Sequence, residues 1–338
     1  MDFFLFLLLL LILKVAKLCI SGNQEYLSKE QTNAIKGIFL LFVIFRHFKQ
    51  YVEGFSDLDK RALFTDDYFD QLIVVMFLFY SGYGVFFSIK NKGKEYVQKI
   101  PIKRVLPILV QFMAIVLIYY CVGLMMGKTY SLKQLFFSLV GWQSVGNSNW
   151  YIFAILMLYL ITYISAIISK EKEGLFFSLL LVMTIILIII LCKLKEEYWY
   201  NTLGAYFFGM LYARYAEQIT KMFNNLFVYV IGFAVCLCIY HITRTYSSML
   251  ICYQFMSVAF AFLVVMITMK VKIGNRYLLF WGENLFAAYM LQRIPMIVLQ
   301  KYSVAANPIV YFLYVLTFTG LLVILYSKIM KYMKRRTR

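Results

Sequence analysis

Acidic residues and histidines are scarce in this chain. Of its 338 residues, 16 are Asp or Glu, two are His and 34 are Lys or Arg, so the formal net charge is +18 at pH 7. Charged residues make up 15% and hydrophobic residues 63% of the chain, whereas a soluble domain averages about 25% charged residues. This balance argues against a water-soluble core. The positive residues lie in short blocks between apolar runs, which is typical of membrane-protein loops and not of a nucleic-acid-binding surface. We therefore expect membrane lipid, and no nucleic acid, as a partner.

Motifs for metal and nucleotide binding are also missing. None of the six cysteines belongs to a C-x-x-C pair, and all lie in or beside apolar runs, which indicates buried thiols. No cluster of His, Cys and carboxylate residues has metal-ligand spacing, and neither G-x-G-x-x-G nor a phosphate-binding loop is present. We expect no bound metal, and a nucleotide-containing ligand would need another kind of site.

Long apolar runs follow one another along the chain. A run of about 17–25 apolar residues can cross a bilayer as a helix. The candidate runs cover residues 3–20, 35–52, 71–89, 106–126, 149–169, 174–192, 202–215, 225–242, 251–269, 284–301 and 308–330. They predict an all-α, polytopic transmembrane helix bundle with about 10–11 spans.

The charges of the predicted loops indicate the orientation of the bundle. Basic residues concentrate after every second span and in the C-terminal tail, whereas the second loop is acidic. The acidic residues of that loop are Glu53, Asp57, Asp59, Asp66, Asp67 and Asp70. Because basic loops stay in the cytoplasm, the alternation places the N-terminus outside and the C-terminus in the cytoplasm. The first run has Asp2 where a signal peptide has a basic region, so we interpret it as an uncleaved anchor.

His47 is a rare ionisable side chain at predicted membrane depth, and Arg46 stands beside it. Holding such groups in hydrocarbon costs a few kcal/mol, so they usually have a function there. Histidine exchanges a proton near neutral pH, which suits general acid–base chemistry. Lys36 precedes His47 by eleven residues, or about three helical turns and ~16 Å on the same face. The structural alternative is a lysine that reaches the interface and a histidine bonded to a neighbouring helix.

Two further patterns lie towards the predicted cytoplasmic side. Ser81 and Tyr83 flank Gly82 in the third run, where small residues also allow close helix packing. Arg104, three residues before Pro107, follows several lysines, including Lys103. This basic patch suits either ordinary cytoplasmic topology or docking of a phosphorylated cytoplasmic molecule.

The fifth and tenth runs carry the remaining polar candidates. Asn149 and Trp150 open the fifth run at the predicted outer interface, where a lone tryptophan is usually an anchor. Arg293 lies well inside the tenth run and needs a partner or a wet cavity. Tyr289 precedes it by four residues, on the same helical face. Glu283 and Asn284 stand at the inner end of that run.

The order of these patterns resembles the membrane acyltransferase 3 family. The patterns are Lys36-Gly-Ile before an intramembrane His47, then Ser81-Gly-Tyr, Arg104-x-x-Pro, Trp150-Tyr-Ile-x-x-Ile and Gly282-x-Asn-x-x-x-x-Tyr-x-Leu. The family motif Arg-x10-His falls on Lys36 and His47, with lysine in place of arginine. Its Arg-x-x-Arg motif falls on Pro101 and Arg104, so one arginine is missing. A late family histidine is replaced by Gln292 or Arg293.

The resemblance implies an O-acyltransferase that moves acetyl from cytoplasmic acetyl-CoA to a hydroxyl of a cell-surface glycan, in a bacterial cytoplasmic membrane. It implies a capsule, an exopolysaccharide, an O-antigen or a lipid-linked precursor as acceptor. His47 would be the general base or would carry the acyl group, with Lys36 as its motif partner. Lys36, Lys103 and Arg104 would meet the CoA phosphates. The candidates for substrate binding or oxyanion stabilisation are Arg46, Ser81, Tyr83, Asn149, Trp150, Glu283, Asn284, Tyr289 and Arg293. Residues 33–338 would form the acyltransferase domain, and residues 1–32 an additional membrane anchor and loop.

Two other classes of function compete with this interpretation. A polytopic transporter or flippase would use His47, Arg46 and Arg293 to line a substrate path, although no related halves are visible in the sequence. A membrane sensor or scaffold would use the same charges only for structure, and its His47→Ala variant would change stability without changing any turnover.

Overall fold

The computed structural model describes residues 10–14, 16–19, 22–52, 69–302 and 306–336. Half of the predicted anchor at 3–20 lies outside the described residues, as do Glu53, Asp57, Asp59, Asp66 and Asp67 of the acidic loop. The helices are α1 (Lys29–Lys49), α2 (Val75–Ile100), α3 (Leu106–Met125), α4 (Leu132–Leu139), α5 (Trp150–Ser169), α6 (Glu173–Leu194), α7 (Gly204–Phe223), α8 (Leu226–Thr245), α9 (Leu250–Lys270), α10 (Arg276–Glu283), α11 (Leu285–Leu291), α12 (Arg293–Leu299) and α13 (Pro308–Arg336). Two 3₁₀ turns (Asp70–Val74, Glu197–Trp199), a π-helical turn (Pro101–Val105) and two short strands complete the described elements.

The prediction of an all-α polytopic bundle is confirmed. Within the described ranges, six helical stretches are long and apolar enough to cross a membrane. They are Asp70–Met125, Trp150–Ser169, Glu173–Leu194, Leu226–Thr245, Leu250–Lys270 and Pro308–Met333. The first of them contains two predicted spans, 71–89 and 106–126. Helix α8 has no buried residue, which is the pattern of a helix that faces lipid on most of its surface. The protein is therefore a multi-pass membrane protein.

Residues Lys17–Leu18 form a strand, β1, that pairs antiparallel with β2 (Val271–Lys272). A helical span that continues to residue 20 is therefore wrong at its C-terminal end. Glu25 adds an ion pair 2.6 Å long to Lys272. The pair and the ladder tie the start of the described chain to the end of α9.

Two reciprocal glycine contacts hold the centre of the bundle together. An added Cβ on Gly82 of α2 would lie 2.1 Å from the Tyr206 carbonyl oxygen of α7, and one on Gly209 of α7 would lie 2.1 Å from that of Phe79. Gly37 of α1 and Gly282 of α10 are packed in the same way against each other's helices. Because glycine has no Cβ, each pair lets two backbones touch. The contact brings the helix of His47 against the helix that leads to Arg293.

The tenth predicted span, 284–301, is not one continuous helix. It is divided into α11 and α12, with breaks at Asn284 and Gln292. Pro295 lacks the N–H that would bond to the preceding turn, and its ring crowds the carbonyl four residues earlier. The break at Gln292 follows from this. It places Arg293 at the start of α12, close to the end of α1.

Candidate active site

A cavity of about 530 Å³ opens where the C-terminal end of α1 meets α11, α12 and the loop before α5. We call it the His47 cavity. Six of the side chains predicted from the sequence to act in a site line it: Arg46, His47, Asn149, Trp150, Tyr289 and Arg293. They come from three separate parts of the chain. The sequence predicted each of them separately, and the fold brings them together in one cavity.

His47 forms part of the cavity wall and is half-buried. Its ring centroid lies 6.1 Å from that of Tyr289, with the planes inclined by 57°. Its Nδ1 is buried and has no hydrogen-bond partner within the described residues, and neither has the Tyr289 hydroxyl. Buried polar atoms in folded proteins nearly always have a partner, so these two atoms are available to hydrogen-bond to a ligand or water in the cavity.

Two more polar atoms that line the cavity also lack a hydrogen-bond partner among the described residues. Gln71 Oε1 and Asn147 Nδ2 are buried without a hydrogen-bond partner in the part of the chain that is described. Together with His47 and Tyr289 they offer both donors and acceptors. Such a wall matches a ligand that is rich in hydroxyl groups.

Arg293 crosses one side of the cavity. Its Nε donates to Ser148 Oγ at 3.0 Å, and its Nη1 and Nη2 donate to Tyr51 Oη at 3.2 Å and Gln50 Oε1 at 2.9 Å. All three partners are neutral, so these bonds fix the direction of the guanidinium without neutralising its charge. Arg293 therefore gives the cavity a permanent positive charge close to His47.

Arg46 is paired with Asp70, which was not among the site residues predicted from the sequence. Its Nη2 lies 2.5 Å from Asp70 Oδ1, and Tyr253 Oη donates to Asp70 Oδ2 at 2.8 Å. Asp70 has a φ of +30°, a backbone conformation that costs free energy in a non-glycine residue. The strained turn directs the carboxylate to both partners. The only sequence signal for it was an acidic residue at the edge of the third span.

Asn149 and Trp150 have different positions at the mouth of the cavity. The Asn149 amide nitrogen donates to the carbonyls of Gly141 at 2.9 Å and Gln143 at 3.0 Å. Both amide hydrogens are thus engaged in holding the loop, and the prediction that Asn149 donates to an oxyanion does not fit these bonds. Trp150 meets Tyr198 with ring centroids 6.2 Å apart, which forms an aromatic edge to the cavity.

Four other nominated residues lie outside the His47 cavity. Ser81 Oγ is bonded to Tyr159 Oη at 2.7 Å, and Tyr83 lines a separate cavity of about 720 Å³ beside the start of α1. Asn284 accepts from Ser327 Oγ at 2.8 Å and links the broken helix to α13. Glu283 is exposed. The structure gives Ser81 and Asn284 packing and hydrogen-bonding positions between helices.

The basic residues that were predicted to bind CoA also lie outside the His47 cavity. Lys36 is half-buried on α1, three turns before His47. Lys103 and Arg104 are exposed on the π-helical turn, where Arg104 Nε donates to Tyr96 Oη at 3.2 Å. A third cavity, of about 940 Å³, is lined by Lys90, Lys94, Lys170 and Arg214, by Glu171 and Glu173, and by apolar side chains; Arg214 is paired with Glu173. The sequence did not predict this cavity because its charged residues come from separate parts of the chain.

No group of three or more His, Cys, Asp or Glu residues that could hold a metal ion is present within the described ranges.

In a comparison with protein families, the chain matches a family model described as an acyltransferase domain over residues 30–327. No curated protein matches the chain, and no solved structure matches it.

Proposed function

Since the chain belongs to the membrane acyltransferase 3 family over residues 30–327, we propose that it moves an acetyl group from acetyl-CoA to a hydroxyl of a cell-surface glycan, such as a capsule, exopolysaccharide or O-antigen. Membership of the family and the apolar helices make it a membrane acyltransferase. The acetyl donor, the glycan acceptor and the bacterial cytoplasmic membrane are parts of the proposal.

The observation that carries the proposal is the position of His47. Its ring lies in the wall of a cavity together with three other unpartnered polar groups. An acceptor hydroxyl in that cavity would occupy the place of the missing hydrogen-bond partners. A sugar hydroxyl attacks a thioester only when a base takes its proton, and a positioned histidine provides about 100- to 10,000-fold acceleration.

In the reaction we propose, His47 accepts the proton of the acceptor hydroxyl while that oxygen bonds to the thioester carbonyl carbon. Negative charge then develops on the carbonyl oxygen, and Tyr289 and Arg293 are the nearest candidates to stabilise it. As the C–S bond breaks, the proton passes from His47 to the CoA thiolate. A variant with the same balance has His47 carry the acyl group between donor and acceptor.

The donor would reach His47 from the end of α1 that contains Lys36. Cationic side chains at that end suit the phosphates of CoA. Lys36 and Arg104 fall on family motif positions, and Lys103 adds a positive charge beside Arg104. Lys90, Lys94, Lys170 and Arg214 line a further cavity together with Glu171 and Glu173, and Arg214 is paired with Glu173. By the distribution of loop charges, this end of the bundle faces the cytoplasm.

The test compares cells that express the wild type, His47→Ala or His241→Ala at equal abundance in the membrane. His241 is the only other histidine and is exposed on α8, so it is a matched control. Surface glycan is extracted, and its O-acetyl content is read by NMR before and after mild base. We expect base-labile acetyl with the wild type and His241→Ala and none with His47→Ala. Equal acetylation in all three strains contradicts the role of His47, and no acetyl in any strain favours the transporter or flippase with His47, Arg46 and Arg293 on its path.

A further inference from the structure

The charged side chains that line the His47 cavity are mostly cationic. Within the described residues, the cations of the lining are Arg46, Lys128, Arg293 and Lys301, and the one carboxylate is Asp70. Asp70 is paired with Arg46 at 2.5 Å. The remaining cations, Arg293, Lys128 and Lys301, form no salt bridge with a carboxylate in the described ranges.

These three cations occupy two levels of the cavity. Arg293 is held beside His47 by its neutral partners Ser148, Tyr51 and Gln50. Lys128, after α3, and Lys301, after α12, are exposed at the mouth. A cavity with walls of low dielectric constant and one sign of charge concentrates ligands of the opposite sign.

The remainder of the lining is suited to a sugar or a polyol. Trp150 and Tyr198 form an aromatic edge, and Gln71 and Asn147 present unpartnered polar atoms. Pockets of this kind bind through apolar and aromatic surface and fix orientation with a few polar groups. A ligand with only neutral hydroxyl groups would form no ion pair with Arg293, Lys128 or Lys301.

We propose that the His47 cavity selects an anionic acceptor, a glycan or polyol chain that bears a phosphate or carboxylate group close to the hydroxyl that is acylated. The inference rests on the function proposed above and specifies its acceptor. Arg293 would bind the phosphate or carboxylate group nearest to the reacting hydroxyl, which leaves the Tyr289 hydroxyl to stabilise the developing carbonyl oxyanion. Lys128 and Lys301 would bind the charge of the neighbouring unit. Phosphate and carboxylate groups both carry the negative charge that these cations would bind, and the experiment below compares the two.

The first measurement is equilibrium binding to the purified full-length protein in a neutral detergent, which does not depend on turnover. The probes are a glycerol phosphate trimer, a trisaccharide of galacturonic acid and maltotriose, which is neutral. We expect at least one anionic probe to bind about tenfold or more tightly than maltotriose, and the preference to weaken between about 50 mM and about 500 mM salt. The anionic probe that binds more tightly shows whether the acceptor carries a phosphate or a carboxylate group.

The second measurement repeats the binding with the double variant Lys128→Gln/Lys301→Gln and with Lys133→Gln. Lys133 is exposed on α4, five residues after Lys128, and does not line the cavity. We expect the double variant to lose about tenfold in affinity for the anionic probe and to keep its affinity for maltotriose. Lys133→Gln should match the wild type. Because the substituted lysines are exposed, the variants should fold.

Several results would overturn the inference. These are equal binding of the three probes, binding of neither anionic probe, and a preference for anions that survives in Lys128→Gln/Lys301→Gln. Acyl transfer to neutral glycans without preference for anions overturns the inference and leaves the acyltransferase function intact. Selective binding of an anionic probe without any acyl transfer supports the inference and contradicts the acyltransferase function.

Discussion

Arg46 and Asp70 form an ion pair beside His47, with Arg46 Nη2 and Asp70 Oδ1 2.5 Å apart. The pair connects α1 to the 3₁₀ turn at the start of α2, and Tyr253 joins it from α9. It therefore fixes the end of the helix that carries His47. It also places a negative charge beside Arg46, next to the group that accepts a proton in the reaction proposed above.

The Arg46–Asp70 pair predicts the effect of Asp70→Asn. The change removes the negative charge of Asp70 from the surroundings of His47, so the positive field at His47 increases and proton uptake becomes less favourable. We expect acyl transfer to fall at least about tenfold, with a loss of stability of about 1 kcal/mol because the pair is partly exposed. The measurements are turnover and thermal unfolding. Glu95→Gln, which removes the partner of Lys99 at the surface, is the control and should change neither.

The glycine contacts predict a sharp difference between two positions on α2. Gly82→Ala places a methyl group 2.1 Å from the Tyr206 carbonyl oxygen, whereas an added Cβ at Gly84 meets nothing within 4 Å. Overpacking of this kind costs about 1–3 kcal/mol or more. We expect Gly82→Ala to reduce the yield of folded protein and Gly84→Ala to leave it unchanged or increased. Equal yields of the two variants would show that α2 and α7 are not in close backbone contact.

The lengths of the apolar runs predicted α5 and α9 closely, because neither helix has a charged residue in its interior. The predicted 149–169 and 251–269 became α5 and α9 with small shifts at the ends. The β1–β2 ladder depends on contact between residues that are far apart in sequence, so no local pattern could show it. The break at Gln292 had a local signal in Pro295, which the length of the apolar run concealed.

The candidate site was also predicted only in part from the sequence. His47, Arg293 and Tyr289 were visible as polar groups in apolar helices, and the structure places them in one cavity. Asp70, Gln50 and Ser148 are ordinary polar residues at helix ends or in a loop, and their relation to Arg46 and Arg293 exists only in three dimensions. Asn149 was noticed for its position, but its amide hydrogens bond to the loop.

The exposed pair of Glu25 and Lys272 predicts a pH dependence of stability. Lys272 lowers the pKa of the Glu25 carboxyl through a hydrogen bond and its charge, and Glu25 raises the pKa of Lys272 in return. The lowered pKa of Glu25 contributes stability that is present above its unfolded value and lost as the pH falls through the folded value. The raised pKa of Lys272 contributes stability that is lost as the pH rises through its folded value.

The corresponding measurement is the unfolding temperature of the wild type and Glu25→Gln over a range of pH. We expect a small deficit of the variant at neutral pH that disappears in acid, once Glu25 of the wild type is protonated. Gln24 is an exposed neighbour, and Gln24→Ala should show no dependence on pH relative to the wild type. A deficit of Glu25→Gln that persists in strong acid would mean that the ion pair is not its cause.

The family motif predicts an arginine at the position of Lys36, and two substitutions test the role of Lys36. Lys36→Arg keeps the positive charge and should retain activity, whereas Lys36→Met removes it. If Lys36 binds a CoA phosphate, Lys36→Met should raise the KM for acetyl-CoA roughly tenfold, as expected for loss of a charged hydrogen bond. Lys29→Met, at the exposed start of the same helix, is the control. An unchanged KM for Lys36→Met would remove Lys36 from the donor site.

The central claim, that His47 performs acyl transfer in its cavity, is tested most directly by turnover of the purified protein with acetyl-labelled acetyl-CoA and an extracted surface glycan. The wild type, His47→Ala and His241→Ala are compared at equal folded concentration, as judged by their unfolding temperatures. We predict transfer of label to the glycan by the wild type and His241→Ala, and a loss of about 100- to 10,000-fold in His47→Ala. Transfer by folded His47→Ala at the rate of the wild type would contradict the account.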